Sequence, residues 1–227
     1  MLASSEDARR ELDQIRSGDL ATVRIAAFPT ACTHLLPRAA ASWRRRFPAL
    51  SFEFTECDAD TALEAIRHGK ADLALTYDYA AHPIALDHLT AQPLPDDPLL
   101  LALSAGHPLA AAPVADIAAL SDEMWISGTS FACAESLRAI CGVAGFTPLV
   151  TLDSNRYPTT LALVAAGHGI ALIPASALTT APPDVAIRPL RPVPPPRRIW
   201  AVTQGQPNTP VAHLTDCLVA TAAVYRA

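Results

Sequence analysis

Two stretches place hydroxyl-bearing residues where a strand gives way to a helix. In the first, Val23 to Phe28 is an apolar run suited to a strand, Pro29 breaks it, and Thr30 and Thr33 flank Cys32 at the start of a helical pattern. In the second, the segment WISGTSF sets Ser127, Gly128, Thr129 and Ser130 just ahead of another helix. A strand that runs into a helix leaves backbone N–H groups unpaired and a partial positive charge where the strand ends. A small anion or a hydroxylated ligand can be held there without a charged side chain. The competing account is that each hydroxyl merely caps its own helix.

Further candidates follow the other strands. Thr76, Tyr77 and Asp78 close the run ADLALTYD, Asn155, Arg156 and Tyr157 precede a helix, and Pro174 to Ser176 follow HGIALIP. Phe28, Tyr77 and Tyr157 can line an aromatic slot, and Arg156 is the nearest cation for a carboxylate. No catalytic constellation accompanies them: there is no GxSxG, GxGxxG, Walker loop or HExxH. The seven histidines lie near helix ends or beside Pro and Gly turns, where solvated or capping roles explain them. The five cysteines, Cys32, Cys57, Cys133, Cys141 and Cys217, are widely spaced, with no CxxC and no zinc spacing. They read as free thiols in a reducing compartment, and no metal or cofactor is expected.

The elements that must position these residues alternate. Leu35, Leu36, Ala39, Ala40 and Trp43 recur at helical spacing, Leu50, Phe52 and Phe54 alternate as on one strand face, and Asp58 or Asp60 can cap a helix that Gly69 ends. Two strand–helix–strand crossings in succession predict an α/β fold with a parallel sheet. The alternation pauses in the proline-rich stretch around Pro93 to Pro98 and restarts: a short helix around Val114 to Leu120, a strand Met124 to Ser127, a helix Phe131 to Val143, a strand Phe146 to Leu152, a helix Thr159 to Ala166 and a strand His168 to Pro174. Arg197 to Gly205 is a further strand, and Pro210 to Tyr225 closes the chain as a helix. The restart predicts two similar lobes, with ligands at the carboxyl ends of their strands. Ser4 to Ser17 forms a polar helix with a thin apolar stripe, suited to a linker.

Composition narrows the class. With 227 residues, 51% of them hydrophobic, and a net charge of −5, the chain supports a substantial core. Its 17 Lys and Arg are outnumbered by 22 Asp and Glu, which argues against nucleic-acid binding by these residues. The N-terminal stretch is acidic where a secretion signal is apolar, and no segment reads as a membrane span, so the expected location is the cytoplasm.

The segments IRSGDLATVRIAAFPTACTHLLPRAAASWRRRFPALSFEFTE, ALEAIRHGKADLALTY and TLALVAAGHGIALIPASAL resemble, in order, the effector-binding region of LysR-type bacterial transcription regulators. The resemblance covers nearly the whole chain. It implies a periplasmic-binding-protein-like (type 2) fold of two Rossmann-like lobes joined by crossing strands, with a small organic acid or aromatic metabolite bound between them. Residues 1–18 would be a residual linker helix, residues 19–98 with 189–227 lobe one, and residues 99–188 lobe two. The implied effector contacts are Thr30, Ala31, Cys32, Thr76 and Tyr77 in lobe one, and Ser127, Gly128, Thr129, Ser130, Asn155, Tyr157 and Pro174 in lobe two. It also implies a homodimer in which helix Leu35 to Phe47 meets helix Phe131 to Val143 of a second copy. The winged helix-turn-helix that the family places before this region is not in this sequence, so the chain reads as a piece of a longer protein that alone would touch DNA. Two other readings share the architecture: a thiol switch through Cys133 and Cys141, and a solute-binding component of a transporter. An enzyme on the same fold would need a catalytic pair, and none is evident.

Overall fold

The computed structural model describes residues 22–224, so the expected helix over residues 4–17 lies outside the described residues. In chain order the elements are β1 (Thr22–Ala27), α1 (Leu36–Arg46), β2 (Ser51–Glu56), α2 (Ala59–Arg67), β3 (Leu73–Asp78), β4 (Thr90–Pro93), β5 (Leu99–Ser104), β6 (Ala115–Asp116), β7 (Met124–Ser127), α3 (Phe131–Val143), β8 (Leu149–Asp153), α4 (Tyr157–Ala165), β9 (Ala171–Pro174), β10 (Val185–Arg188), β11 (Leu190–Arg191), β12 (Arg198–Thr203) and α5 (Thr209–Val224). The fold is α/β and divides into two compact units.

The first unit comprises the described residues through Tyr77, Ala85–Pro95, and those from Ile199 onward. Its sheet runs β2-β1-β3-β12-β4, with β1 parallel to both β2 and β3 and β4 antiparallel to β12. β1 sits inside the sheet, and its residues change accordingly from alternation at Val23, Arg24 and Ile25 to the buried Ala26 and Ala27, with Phe28 buried just beyond its end. α1 buries Leu36, Ala39, Ala40 and Trp43, and the Trp43 indole N–H donates to the Pro210 carbonyl at 2.8 Å, fastening α1 to α5. β2 is an edge strand. Leu50 before it is buried and Phe52 is half-buried against Trp43, but Phe54 on the same face is 55% exposed, because the cover ends before it.

The start of α1 differs from the expectation. Thr30 already has helical dihedrals, so its hydroxyl caps nothing, and the Thr33 hydroxyl donates back to the Pro29 carbonyl at 2.9 Å. Ala31–Leu35 forms a wide π-type turn in which the Leu36 N–H reaches the Ala31 carbonyl five residues back. Pro37 follows directly and has no N–H to give to the Thr33 carbonyl, so the hydrogen-bond ladder changes register where a donor is missing. Asp58 stands at the cap position of α2, also without a side-chain cap bond.

The second unit comprises Asp78–Ile84 and Asp96–Arg198, where the sequence reading set lobe two at residues 99–188. A three-stranded antiparallel sheet runs β10-β5-β9, and β7 pairs in parallel with β8. Ala102, Ile126, Leu161, Val164, Ala171 and Ile173 fill its core. The glycine pattern VAAGHGIALIP has a local cause at Gly169. Its φ is +149°, and an added Cβ would stand 2.7 Å from the Met124 carbonyl oxygen. That close approach lets Ile170 donate to Met124 and Ile126 donate to Ile170, each at 2.8 Å, stitching β7 to the entry of β9.

Two carboxylates hold the segments that enter and leave this unit. Asp78 accepts the Arg198 guanidinium on both oxygens at 2.7 Å and the Ile84 N–H at 3.0 Å. Asp97 accepts the Arg197 guanidinium at 2.6 Å and both the hydroxyl and the N–H of Ser176, at 2.7 and 3.1 Å. The backbones of Asp97 and Arg197 also exchange hydrogen bonds.

Candidate functional site

In the first unit the carboxyl ends of β1 and β3 are neighbours in the sheet, and they present the first group of candidates. The Cys32 N–H bonds the Phe28 carbonyl as the chain turns into its helix. Thr30 is buried at the turn, and Cys32 is half-buried with its thiol donating to the Ala27 carbonyl at 3.5 Å. Burial pushes the Cys32 thiol up to about 12, with the Glu56 carboxylate and Cys57 adding to the effect, so it is protonated at neutral pH. Tyr77 at the end of β3 is half-buried and meets the Phe28 ring edge-on at 5.0 Å between centroids. Ala31 packs wholly within the core, so its side chain offers no contact surface. Thr76 is fully buried and its hydroxyl donates to the Ala59 carbonyl at 3.0 Å, tying β3 to the start of α2.

In the second unit the ends of β7 and β8 are drawn together. The Ser154 N–H donates to the Ser127 carbonyl at 2.9 Å, and the Asn155 side-chain oxygen accepts the Thr129 N–H at 2.9 Å. Ser130 caps α3, its hydroxyl accepting the Cys133 N–H at 3.2 Å. The capping account is therefore correct for Ser130, whereas for Thr30 it is not. Gly128 lies against Cys133 so closely that an added Cβ would fall 3.0 Å from the Cys133 Cβ and 3.1 Å from its sulfur. The Ser127 hydroxyl stays local, donating to the Gly128 carbonyl at 3.3 Å. Tyr157 opens α4, half-buried, and Pro174 closes β9 in the interior. Thus Ser127 to Ser130 and Asn155 form one hydrogen-bonded cluster, while Pro174 leads into Ser176 and the Asp97–Arg197 pair.

Burial pushes the Tyr157 phenol up to about 12. The Arg197 charge opposes that, Cys133 and Asp97 reinforce it, and a hydrogen bond from Tyr79 opposes it. The sequence reading did not single out Tyr79, Asp97 or Arg197, which act on this phenol. Tyr79 lies two residues beyond Tyr77, and only its separation of 54 residues from Cys133 hid the contact. Arg156, the cation expected nearest the site, is exposed and contributes its backbone to a turn with Ser154.

All five cysteines are free. Cys133 and Cys141 lie eight residues apart on one unbroken helix, about 12 Å by helical rise, beyond disulfide reach. Among the described residues no cluster of His, Cys, Asp or Glu could hold a metal ion, and no helix is long and apolar enough to cross a membrane.

Residues 16–223 match the family described as LysR substrate binding domain. Among curated proteins, the probable HTH-type transcriptional regulator LrrA of Synechococcus elongatus is 32% identical over 179 residues, 79% of this chain and 58% of that protein. A probable hydrogen peroxide-inducible genes activator of Mycobacterium avium is 30% identical over 168 residues, 73% of this chain and 51% of that protein. The chain thus spans between about half and three-fifths of the length of these relatives. Among solved structures, the BenM effector binding domain with its effector benzoate superposes with a TM-score of 0.76 at 24% identity, covering 89% of this chain and 92% of that one. That likeness establishes the periplasmic-binding-protein-like type 2 fold.

Proposed function

Because the chain belongs to the LysR substrate binding domain family, we propose that it is the ligand-sensing part of a DNA-binding transcription regulator. In this reading a small-molecule effector, a carboxylate or an aromatic metabolite, is recognised by the hydroxyl-bearing turns at the strand ends. The observation that carries it is the repeated arrangement at Phe28 to Cys32 and at Ser127 to Ser130, where strands end in turns bearing hydroxyls and entering helices, within a sequence that matches the family over residues 16–223. The effector contacts are Thr30, Cys32 and Tyr77 in the first unit and Gly128, Thr129, Ser130, Asn155 and Tyr157 in the second. Ala31, Thr76, Ser127 and Pro174 shape the same turns from behind.

Binding can change gene control only if the ligand distinguishes two arrangements of the protein energetically. We place the readout in a homodimer, with DNA contacts supplied by a segment outside this chain. Exposed apolar side chains support self-association: Phe54 on β2, Phe131 and Val143 on α3, and Leu149 and Val150 on β8. The protein acts in the cytoplasm and turns nothing over.

Thermal unfolding against a library of small carboxylates, aromatic acids, amino acids and sugars, with benzoate among the first, tests this reading. A saturable rise in the melting midpoint, weakened by Thr30→Val and by Ser130→Ala relative to each variant's own unliganded melt, is expected. A library without effect on any of the three proteins would refute it.

A further inference from the structure

In the second unit the 3₁₀ turns Pro108–Ala111 and Ile117–Leu120 are each capped by the side chain just ahead of them. Asp116 caps the later turn, its Oδ1 accepting the Ala118 N–H at 3.0 Å. His107 caps the earlier one, its Nδ1 accepting the Leu109 N–H at 3.1 Å. The His107 side chain is 13% exposed, and its other nitrogen, Nε2, lies 3.0 Å from Glu123 Oε1. The Glu123 N–H donates to the Leu120 carbonyl at 3.2 Å, and the next residue, Met124, begins β7. One imidazole therefore joins the segment that leaves β5 to the segment that enters β7.

A backbone N–H can only donate, so Nδ1 is the bare nitrogen of the ring and the proton sits on Nε2, aimed at an acceptor-only carboxylate. One neutral tautomer satisfies both contacts. A second proton makes both nitrogens donors, and turning the ring over restores no acceptor. The contact with Glu123 survives and becomes charge-assisted, whereas the contact with Leu109 becomes N–H against N–H. Two charges bear on the ring. Glu123 attracts a positive charge there, and Arg188 of β10, whose guanidinium donates to the Ala110 carbonyl of the same turn and to the Ile187 carbonyl, repels one.

We propose that His107 is a pH-sensitive staple, which on protonation keeps its hold on Glu123 and lets go of the Pro108–Ala111 turn. The release is one-sided. The entry to β7 stays fastened, and with it the Ser127 end of that strand, while the turn after β5 loses its cap and the Ala110 carbonyl that Arg188 holds is freed to move. Asp116 gives the neighbouring turn a cap of the other kind, a carboxylate, so the two turns part company on acidification.

Nitrogen NMR of the imidazole and amide exchange of the whole chain, followed from about pH 8 to about pH 5, test this without any ligand. At the upper end His107 is expected as the Nε2–H tautomer. As the ring gains its second proton, protection of the Leu109 amide, corrected for the direct effect of pH on exchange, should fall by about fivefold, the factor that an ordinary capping bond is worth. Ala118 serves as the reference and should hold steady. His107→Asn places an oxygen that does not titrate near the position of Nδ1, so Leu109 should stay protected and its pH response should vanish. His107→Gln reaches toward Glu123 without capping, so Leu109 should be poorly protected at every pH. A proton found on Nδ1 at the upper end, a ring that stays neutral throughout, a Leu109 amide that keeps its protection or loses it together with Ala118, or a response that persists in His107→Asn would each overturn the proposal.

Discussion

Arg197 and Asp97 form a buried ion pair, 2.6 Å between Nη2 and Oδ2, with side chains 1% and 6% exposed. One hundred residues separate them in the chain, and Ser176 completes the cluster by bonding both. Burying charges is costly unless each is matched, so the pair behaves as a unit.

Arg197→Ala is accordingly expected to destabilise the protein by about 3 kcal/mol or more, because it leaves the Asp97 carboxylate buried without its cation. Combining Arg197→Met with Asp97→Asn should recover a large share of that loss. Urea unfolding of the two single variants and the double variant decides the matter; a single Arg197 variant within about 0.5 kcal/mol of the parent contradicts it.

Ser130 has a structural duty that any ligand experiment must separate from recognition. Its hydroxyl caps α3 through the Cys133 N–H, so Ser130→Ala should cost about 1 kcal/mol in the absence of ligand, and Ser130→Asp much less. If Ser130→Ala melts like the parent, the cap contributes nothing and the full effect on ligand response belongs to binding.

Gly169→Ala is expected to cost more than about 1 kcal/mol, since it combines an unfavourable φ with a clash against the Met124 carbonyl. Amide exchange should accelerate first at Ile126 and Ile170, whose hydrogen bonds depend on that approach. Uniform acceleration over the second unit, with no early loss at these two, would show that the stitch between β7 and β9 is not the weak point.

Cys141 gives a pH dependence. Its thiol is fully buried, and desolvation pushes it from an ordinary value of 9.0 up to about 11. Below pH 9 both folded and unfolded chains keep the proton, so the contribution to stability is intact. Between pH 9 and about 11 only the unfolded chain loses it, and stability falls as pH rises. Replacing Cys141 with Ala should flatten that part of a stability-against-pH curve, whereas an unchanged slope would assign the alkaline loss to Cys32 or Tyr157, whose folded values are also raised.

Local grammar made much of this fold legible. α3 spans Phe131–Val143 as its periodicity predicts, and the turn before it could be read because Ser127 to Ser130 are contiguous and polar between apolar runs. Thr30 misled for an equally local reason: the helix begins before it, and Pro37, seven residues later, is what disturbs the ladder. Thr76 showed a hydroxyl at a strand end, but its acceptor on Ala59 depends on how α2 packs. Tyr79, Asp97 and Arg197 carried no signal at short spacing, since their side-chain partners Cys133, Ser176 and one another lie 21 to 100 residues away.

The wide turn at Ala31–Leu35 works as a phase shifter. One surplus residue in a helix rotates everything on one side of it by about 100° relative to the other side. Deleting a single residue there would turn Thr30 and Cys32 about the helix axis relative to the Trp43 stripe, while Pro37 would still leave a carbonyl without its donor. The turn at the end of β1 and the packed helix thus keep separate rotational settings, and a one-residue indel is the smallest change that resets the first relative to the second.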